Sequence, residues 1–329
     1  MPATAPKYNP GFLTDDELVT SFCVRGAEFE SVMEVLRNCT GPSNAHQIVV
    51  GPRGSGKTTL LLRVAAEVRR DPVLSRDFFP IQFAEESYEV GTAGEFWLEC
   101  LSRLADQAPR RDGDPNLDLT VEELRSVRED RDLATRCLGA LLDFSDREGK
   151  RLVLLVENLN MMFREMTDPD AGWRLRKVLQ NEPRIIVLGS ATSRFAQIMD
   201  PAEALYEQFR IVRLEPLDTE ACRVLWESVS DRSAAQHSIR SLEILTGGSP
   251  RLLAVVARFG SARSFRALLA ELLDLVDDHT EYFKSHLEAL PPQERRVYLA
   301  LAELWRATTP PPITARRPQG QARTDTRQQ

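Results

Sequence analysis

Several features that define other classes of protein are missing from this sequence. No apolar run approaches the length of a bilayer-spanning helix, and Met1 to Asp16 has no signal-peptide core, so no membrane partner and a cytoplasmic location are expected. The five cysteines are scattered and form no C-x-x-C pair, which argues against a disulfide framework and a zinc site. Lysine is scarce, with five residues against thirty-seven arginines.

The overall charge, the histidines and the absence of one motif argue against further classes of protein. A net charge of −7 and an isoelectric point near 5.4 argue against a surface broadly adapted to coat nucleic acid. The four histidines show no metal-ligand spacing, and no Lys-x-Asp triplet is present, which argues against a GTPase. With 329 residues, of which 42% are apolar, the chain is long enough for two domains.

One short segment carries the clearest chemical signal. Residues 51–58 fit the pattern G-x-x-x-x-G-K-[ST] at every fixed position, between an apolar run and a helix with an apolar face. The glycines let backbone N–H groups point at phosphates, Lys57 reaches the β and γ oxygens, and the Thr58 hydroxyl binds Mg²⁺. The predicted nucleotide contacts here are Gly51, Pro52, Arg53, Gly54, Ser55, Gly56, Lys57, Thr58 and Thr59.

Short apolar runs alternate with amphipathic segments as far as about residue 215. This alternation is typical of an α/β protein with a parallel sheet. Each connection is long enough to return the chain to the end of the sheet where the previous strand began. The predicted strands are Gln47–Val50, Phe79–Phe83, Leu152–Val156, Ile185–Leu188 and Ile211–Leu214. The predicted helices are Ala27–Arg37, Thr59–Val68, Gly94–Ala108, Val121–Phe144 and Trp173–Gln180.

Beyond Pro216 no strand-like run is present, and helical patterns follow one another. They lie at Asp218–Val229, Ile239–Leu245, Pro250–Arg258, Ser264–Val276 and Glu281–Leu290. We therefore expect an N-terminal extension at 1–20, an α/β core at 21–216 and an all-helical domain at 217–290. The polar, arginine-containing end of the chain, residues 317–329, is predicted to be a disordered tail.

A buried strand that ends in an acidic residue supplies the second element of a Mg-ATP site. Leu152–Val156 runs into Glu157 and Asn158, where an Asp-Glu pair is usual. If Glu157 holds the metal, Asn158 takes the general-base position, and its amide orients water without removing a proton, which predicts slow hydrolysis. In the alternative register Glu157 is the base and Val156 stands at the metal position. The first register is favoured, because Glu157-Asn158-Leu159-Asn160 aligns with the run Asp-Glu-x-Asp.

Residues 51–58, called the phosphate loop below, and three further segments resemble those of a known family. Phe22–Glu28 is similar to an F-x-x-R-x-x-E box, Gly247–Arg251 to a lid motif, and Leu188–Thr192 to the segment that carries the sensor-1 residue. The chain thus resembles bacterial AAA+ or STAND-like phosphate-loop ATPases, close to the origin-recognition and archaeal-type branch. The resemblance makes the domain at 217–290 a lid.

This resemblance implies roles for residues outside the phosphate loop. Val24 and Arg25 are expected to help enclose adenine, and Arg251 to contact the phosphates from the lid. A hydroxyl after the fourth strand, Thr192 in preference to Ser190, is expected to hydrogen-bond the γ-phosphate or the attacking water. In a homo-oligomer, Arg194 and Arg210 are candidates for an arginine finger that acts in trans.

The C-terminal region also resembles part of a nucleic-acid-binding domain. Leu290–Ala302 is similar to the first helix of a winged helix and Pro312–Arg316 to the start of its second, so residues 291–316 are expected to be a partial winged-helix-like segment. The pattern stops before a groove-entering helix or a wing. A protein or DNA partner is therefore left open.

The function that we expect is an ATPase that acts as a Mg-ATP-dependent molecular switch and hydrolyses ATP slowly. Two alternatives stay open. The first alternative to the switch is a nucleotide-binding regulatory module without hydrolysis, as Asn158 allows. The second is a DNA-associated regulator of the initiator type. The implied ligands are ATP and Mg²⁺ in each of these cases.

Overall fold

The computed structural model describes residues 10–39, 45–83, 90–111, 115–166, 168, 170–230 and 236–259. These residues belong to one compact unit that spans residues 1–261. The helices predicted at Ser264–Val276 and Glu281–Leu290, the winged-helix-like segment and the tail lie outside the described residues. Within the described part of the chain, no helix is both long enough and apolar enough to cross a membrane.

Strands and helices alternate through the first two thirds of the chain. The strands are β1 (Gln47–Val50), β2 (Phe78–Gln82), β3 (Arg151–Val156), β4 (Ile185–Ala191) and β5 (Arg210–Arg213). The helices up to β5 are α1 (Asp15–Ser21), α2 (Gly26–Arg37), α3 (Lys57–Arg70), α4 (Leu74–Asp77), α5 (Ala93–Gln107), α6 (Leu117–Leu124), α7 (Asp130–Glu148), α8 (Leu159–Glu165), α9 (Ala171–Asn181) and α10 (Ala196–Met199). After β5 come α11 (Thr219–Ser230), α12 (Gln236–Thr246) and α13 (Pro250–Phe259).

The five strands form one parallel sheet in the order β2-β3-β4-β1-β5. At its centre, Val49 of β1 lies opposite Ser190 of β4 and Val212 of β5. Because the strands are parallel, all their carboxyl ends meet at one edge of the sheet. This architecture confirms the predicted α/β class, with a parallel sheet core followed by helices.

Each face of the sheet carries its own hydrophobic core, since successive strand residues point to opposite faces. Ile48 and Val50 of β1 pack with buried residues of α5, α7, α8 and α9 on one face. Val49 packs with α2 and α3 on the other. Helices on both faces explain why β3, β4 and β1 read as almost continuous apolar runs rather than alternating ones.

The single helix predicted at Val121–Phe144 is wrong, because the chain forms α6 and α7 with a break between them. Arg125 to Glu129 make the break, and Glu129 caps α7 with its carboxylate, which accepts hydrogen bonds from Arg131 N and Asp132 N. Capping by a side-chain oxygen satisfies N–H groups that a continuous helix would have bonded internally. Apolar periodicity runs through both helices and did not reveal the break.

The segment that leads from β5 to α11 is bonded to the turn between α12 and α13. Leu217 N, just before α11, donates to Gly248 O at 2.9 Å, in the turn between α12 and α13. Gly247 and Gly248 both have positive φ, 58° and 68°. Pro250 then starts α13, as expected for a residue that lacks the N–H group which a first helical position leaves unused.

Candidate nucleotide-binding site

The segment between β1 and α3 forms a tight loop at the carboxyl edge of the sheet. Gly51 N donates to Ala191 O at 3.1 Å, which ties the start of the loop to the end of β4. Gly54 and Gly56 adopt positive φ values of 78° and 96°, a conformation that glycine reaches without a Cβ penalty. The Ser55 hydroxyl is buried and has no hydrogen-bond partner among the described residues. Pro52 and Arg53 are exposed, while Thr58 and Thr59 are half-buried in the first turn of α3.

Lys57 is folded over this loop and is only 7% exposed. Its Nζ donates to Gly51 O at 2.7 Å and to Pro52 O at 2.9 Å. Burial lowers the pKa of Lys57 to about 8, the Glu157 carboxylate opposes that shift, and the charge of Arg53 adds to it. The loop therefore contains a buried ammonium group that is poorly solvated by water. An anionic ligand such as phosphate would stabilise its charge.

Thr58 and Glu157 meet in front of the loop. Thr58 Oγ1 donates to Glu157 Oε2 at 2.7 Å, so the start of α3 is bonded to the end of β3. A hydroxyl and a carboxylate are oxygen ligands that suit Mg²⁺, which keeps several waters and usually takes few ligands from the protein. The described residues contain no cluster of three or more His, Cys, Asp or Glu side chains suited to a metal ion. The two oxygen donors fit an ion that is shared with phosphate and water.

Asn158 follows Glu157 in a left-handed conformation, with φ 51° and ψ 43°. Asparagine is one of the few residues other than glycine that adopt this conformation readily. Its backbone N–H donates to Ser190 Oγ at 3.2 Å, and Ser190 is fully buried within β4. The strand predicted to end at Leu188 continues to Ala191, so Ser190 is a strand residue that supports the Asn158 turn.

Thr192 lies one residue beyond β4 and is half-buried. Its N–H donates to Asn160 Oδ1 at 3.2 Å, and Asn160 Nδ2 donates back to Thr192 Oγ1 at 3.0 Å. The sequence placed Asn160 in the aligned run but gave it no function. Its place at the last position of the run Asp-Glu-x-Asp marked it as a possible site residue. No local pattern indicated which residue its side chain contacts.

Arg251 reaches the phosphate loop through its backbone. Arg251 N donates to Gly54 O at 3.2 Å, so the first turn of α13 lies directly on the loop. A Cβ added to Gly54 would lie 3.1 Å from both Arg251 Cβ and Ser249 Oγ. The Arg251 residue is exposed. The turn before α13 and the phosphate loop are thus in contact, as the sequence-predicted role of Arg251 requires.

Arg25 is the N-cap residue of α2, and its side chain is only 6% exposed although it is an arginine. It has a positive φ of 71°. Its guanidinium pairs with Glu28 at 2.9 Å and donates to Glu215 O at 2.5 Å. Val24 is half-buried beside it. The predicted adenine-side residue therefore also holds the segment that leads from β5 to α11.

The two candidate finger arginines lie at opposite edges of the sheet. Arg194 is exposed shortly after the end of β4, on the same edge as the phosphate loop. Arg210 starts β5 at the other edge, where it donates to Ser31 Oγ at 3.0 Å. Within one copy of the chain, Arg194 is thus on the phosphate-loop edge and Arg210 is not.

A model of the AAA ATPase domain family matches residues 21–188. That match covers more than half of the 329 residues, so the chain belongs to the AAA ATPase domain family. Its family and its fold together assign the chain to the class of ATP-binding AAA+ ATPases. No curated protein matches it.

Among solved structures, an ORC1 protein is similar to this chain in fold. The ORC1 protein of Aeropyrum pernix, solved in complex with DNA, is 15% identical with a TM-score of 0.57, over 89% of this chain and 75% of that chain. The Aeropyrum pernix ORC2 protein, in ADPNP-ADP complexes, is 17% identical with a TM-score of 0.49, over 71% of this chain and 61% of that chain. Cdc6p of Pyrobaculum aerophilum is 14% identical with a TM-score of 0.47, over 80% and 67%.

Proposed function

We propose that this chain is a Mg-ATP-dependent molecular switch that hydrolyses ATP slowly. One observation carries the proposal: Arg251 N of α13 donates to Gly54 O of the phosphate loop. A helix that contacts the loop through its main chain responds to any change in the loop that a bound triphosphate causes. We assign residues 21–216 to the ATPase core and 217–290 to the lid that such binding moves.

The site offers a separate group for each part of the substrate. Lys57 and the loop N–H groups would bind the phosphates, and Thr58 with Glu157 would hold Mg²⁺, whose role when bound is to neutralise phosphate charge. Val24 and Arg25 would border the adenine, and Arg251 would contact the phosphates from the lid. This division is supported by the burial of Lys57 and by the hydrogen bond between Thr58 and Glu157.

Slow hydrolysis follows from Asn158. An amide at the general-base position orients an attacking water and takes no proton from it. The left-handed backbone there, φ 51°, favours asparagine, whereas a glutamate would bear a conformational cost of about 1–2 kcal/mol. The residue that suits the turn is therefore one that catalyses weakly, which suits a switch with a long-lived ATP state.

Single-turnover hydrolysis separates the switch from its alternatives. We compare wild type with Asn158→Glu and, as a matched substitution at the exposed last residue of α9, Asn181→Glu. A measurable wild-type rate that rises at least tenfold in Asn158→Glu alone supports a slow ATPase. No turnover in any of the three proteins, with ATP still bound, supports a regulatory module that binds nucleotide without hydrolysis.

The switch also predicts a change in assembly or in partner binding. Size-exclusion chromatography with light scattering, with and without ATP, compares wild type with Lys57→Ala. ATP-dependent assembly that is absent in the variant supports a homo-oligomer, in which Arg194 or Arg210 acts in trans. The DNA-associated alternative predicts salt-dependent duplex binding that survives deletion of residues 309–329.

A further inference from the structure

The clearest unassigned contact in the site joins Asn160 to Thr192. Asn160 is the second residue of α8, and Thr192 is the first residue after β4. Thr192 N donates to Asn160 Oδ1 at 3.2 Å, and Asn160 Nδ2 donates to Thr192 Oγ1 at 3.0 Å. Both residues are half-buried, so solvent competes only in part for these bonds.

The orientation of the Asn160 amide is fixed by its partner. A backbone N–H is only a donor, so the atom that faces Thr192 N must be the amide oxygen. The amide nitrogen then faces the Thr192 hydroxyl, and because it is only a donor, it takes a lone pair of that hydroxyl. The hydroxyl proton consequently has to point away from Asn160.

Packing beneath this pair keeps the two segments at a fixed separation. Leu159 is 1% exposed, and a Cβ added to Gly189 of β4 would lie 2.1 Å from Leu159 Cδ1. The start of α8 is therefore seated directly on the backbone of β4. Next to this contact, Asn158 N donates to Ser190 Oγ, and Ser190 is fully buried within β4, whereas Thr192 is half-buried. Of the two candidate hydroxyls, that of Thr192 is therefore the more accessible.

We propose that Asn160 is a positioning residue that makes the Thr192 hydroxyl a hydrogen-bond donor toward the substrate side of the site. Thr192, rather than Ser190, then donates to the terminal phosphate or to the attacking water. This inference rests on the proposed ATPase function and adds a residue to it. Asn160 acts through Thr192 and does not itself touch the substrate.

Asn160→Asp tests the direction of the hydroxyl proton with almost no change in shape. A carboxylate still accepts from Thr192 N, but it also accepts from the Thr192 hydroxyl, which turns the proton toward residue 160. We expect the single-turnover rate to fall about tenfold, in line with the loss of one hydrogen bond. The Kd for ATP should change by less than about threefold, because Lys57 and the loop dominate binding.

A double-mutant cycle with Thr192→Val separates this effect from the added negative charge. In the Thr192→Val background the hydroxyl is gone, so Asn160→Asp should produce little further loss of rate. An effect of Asn160→Asp that is equally large in both backgrounds would overturn the inference. Thr192→Ser, which keeps a hydroxyl and the backbone N–H, should retain most of the wild-type rate.

Two further outcomes keep the test decisive. If Asn160→Asp does not fold, as urea unfolding would show, Asn160→Ala replaces it in the same cycle, with the same non-additivity expected. If wild type binds ATP but shows no turnover, the proposed hydrolysis and this role fall together. Turnover in wild type with additive Asn160 and Thr192 effects overturns this role alone and leaves the ATPase proposal standing.

Discussion

Thr58 Oγ1 donates a 2.7 Å hydrogen bond to Glu157 Oε2, which joins two residues that are 99 positions apart in the chain. The bond connects the first turn of α3 to the carboxyl end of β3. Because the sheet is parallel, these two ends lie at the same edge, where the phosphate loop also lies. In the proposed function, this pair would provide two adjacent oxygen ligands for Mg²⁺.

Removing the Thr58 hydroxyl should weaken the magnesium dependence of ATP binding. For Thr58→Val we expect the Mg²⁺-stimulated part of the ATP affinity to fall about tenfold, while Thr58→Ser keeps it, since serine supplies the same oxygen. Fluorescent-nucleotide titrations at a series of Mg²⁺ concentrations measure this. Thr135→Val, at an exposed position of α7 away from the loop, is the matched control. An equal loss in that control would contradict the assignment.

The buried ammonium of Lys57 predicts a pH dependence of binding. Burial lowers its pKa to about 8, so the charged form that attracts phosphate is lost as pH rises above that value. ATP affinity should therefore fall between pH 8 and 9.5, by up to about tenfold per pH unit. Calorimetry over this range tests it. Lys57→Arg stays charged throughout, and a slope that persists in this variant would count against Lys57 as the source.

The same shift has the opposite effect on folding. The unfolded lysine keeps its proton up to about pH 10.5, whereas the folded one releases it near pH 8. The unfolded state thus binds more protons between these values, and the free energy of unfolding should rise with pH across that interval. Urea titrations of wild type and Lys57→Ala at pH 8 and pH 10 isolate this contribution, which the variant should lack.

Two neighbouring glycines in the turn between α12 and α13 give a matched pair of variants. Both have positive φ, but a Cβ on Gly248 would lie 2.5 Å from Leu217 O, whereas a Cβ on Gly247 meets nothing within 4 Å. Gly247→Ala should therefore lose only the conformational cost of about 1–2 kcal/mol. Gly248→Ala should lose a further 1–3 kcal/mol or so from steric overlap. Urea unfolding measures both, and equal losses would show that the Leu217 contact contributes nothing.

His46 predicts that stability declines in mild acid. Its Nδ1 accepts from Val187 N at 3.0 Å and its Nε2 lies 3.0 Å from Leu179 O, so the buried ring is neutral. Burial lowers the pKa of His46 below its usual 6.5, the Leu179 carbonyl opposes this, and Arg151 adds to it. The unfolded state then binds the proton first as pH falls, so stability is lost below pH 6.5, by at most about 1.4 kcal/mol per pH unit.

A variant without the imidazole assigns this acid effect. His46→Gln cannot titrate, and its unfolding free energy should vary less than that of wild type between pH 7.5 and 5. Chemical denaturation at several pH values provides the comparison. A pH dependence of the same size in both proteins would assign the acid sensitivity to other groups.

Most of the secondary structure follows from the sequence because its signals are local. The strand at Gln47–Val50 was predicted with its observed bounds, and β3 was displaced by one residue at its start. These strands lie between two helical layers, so after their first residue they are apolar and easy to recognise. The helix predicted across Val121–Phe144 is wrong, since a cap at Glu129 divides it and apolar periodicity carries no information about caps.

The candidate site was predictable in part for the same reason. The loop from Gly51 to Thr58 is contiguous, and the spacing of its glycines, Lys57 and Thr58 is a local signal. The hydrogen-bond partners of Ser190 and Thr192 were not predictable, because they lie between the end of β3 and the first turn of α8. The structure places Ser190 within β4 as the acceptor of Asn158 N, and Thr192 beyond it as the partner of Asn160.

The amino-acid sequence alone determined the phosphate loop, the strand before it and the α/β alternation, since glycine placement and apolar periodicity act over a few residues. Only the tertiary structure decided that Thr58 bonds Glu157, that Asn160 bonds Thr192 and that Arg251 lies on Gly54. Each of these contacts joins segments at least 30 residues apart. Their partners depend on strand order and register, which the packing of the whole sheet sets and no local pattern encodes.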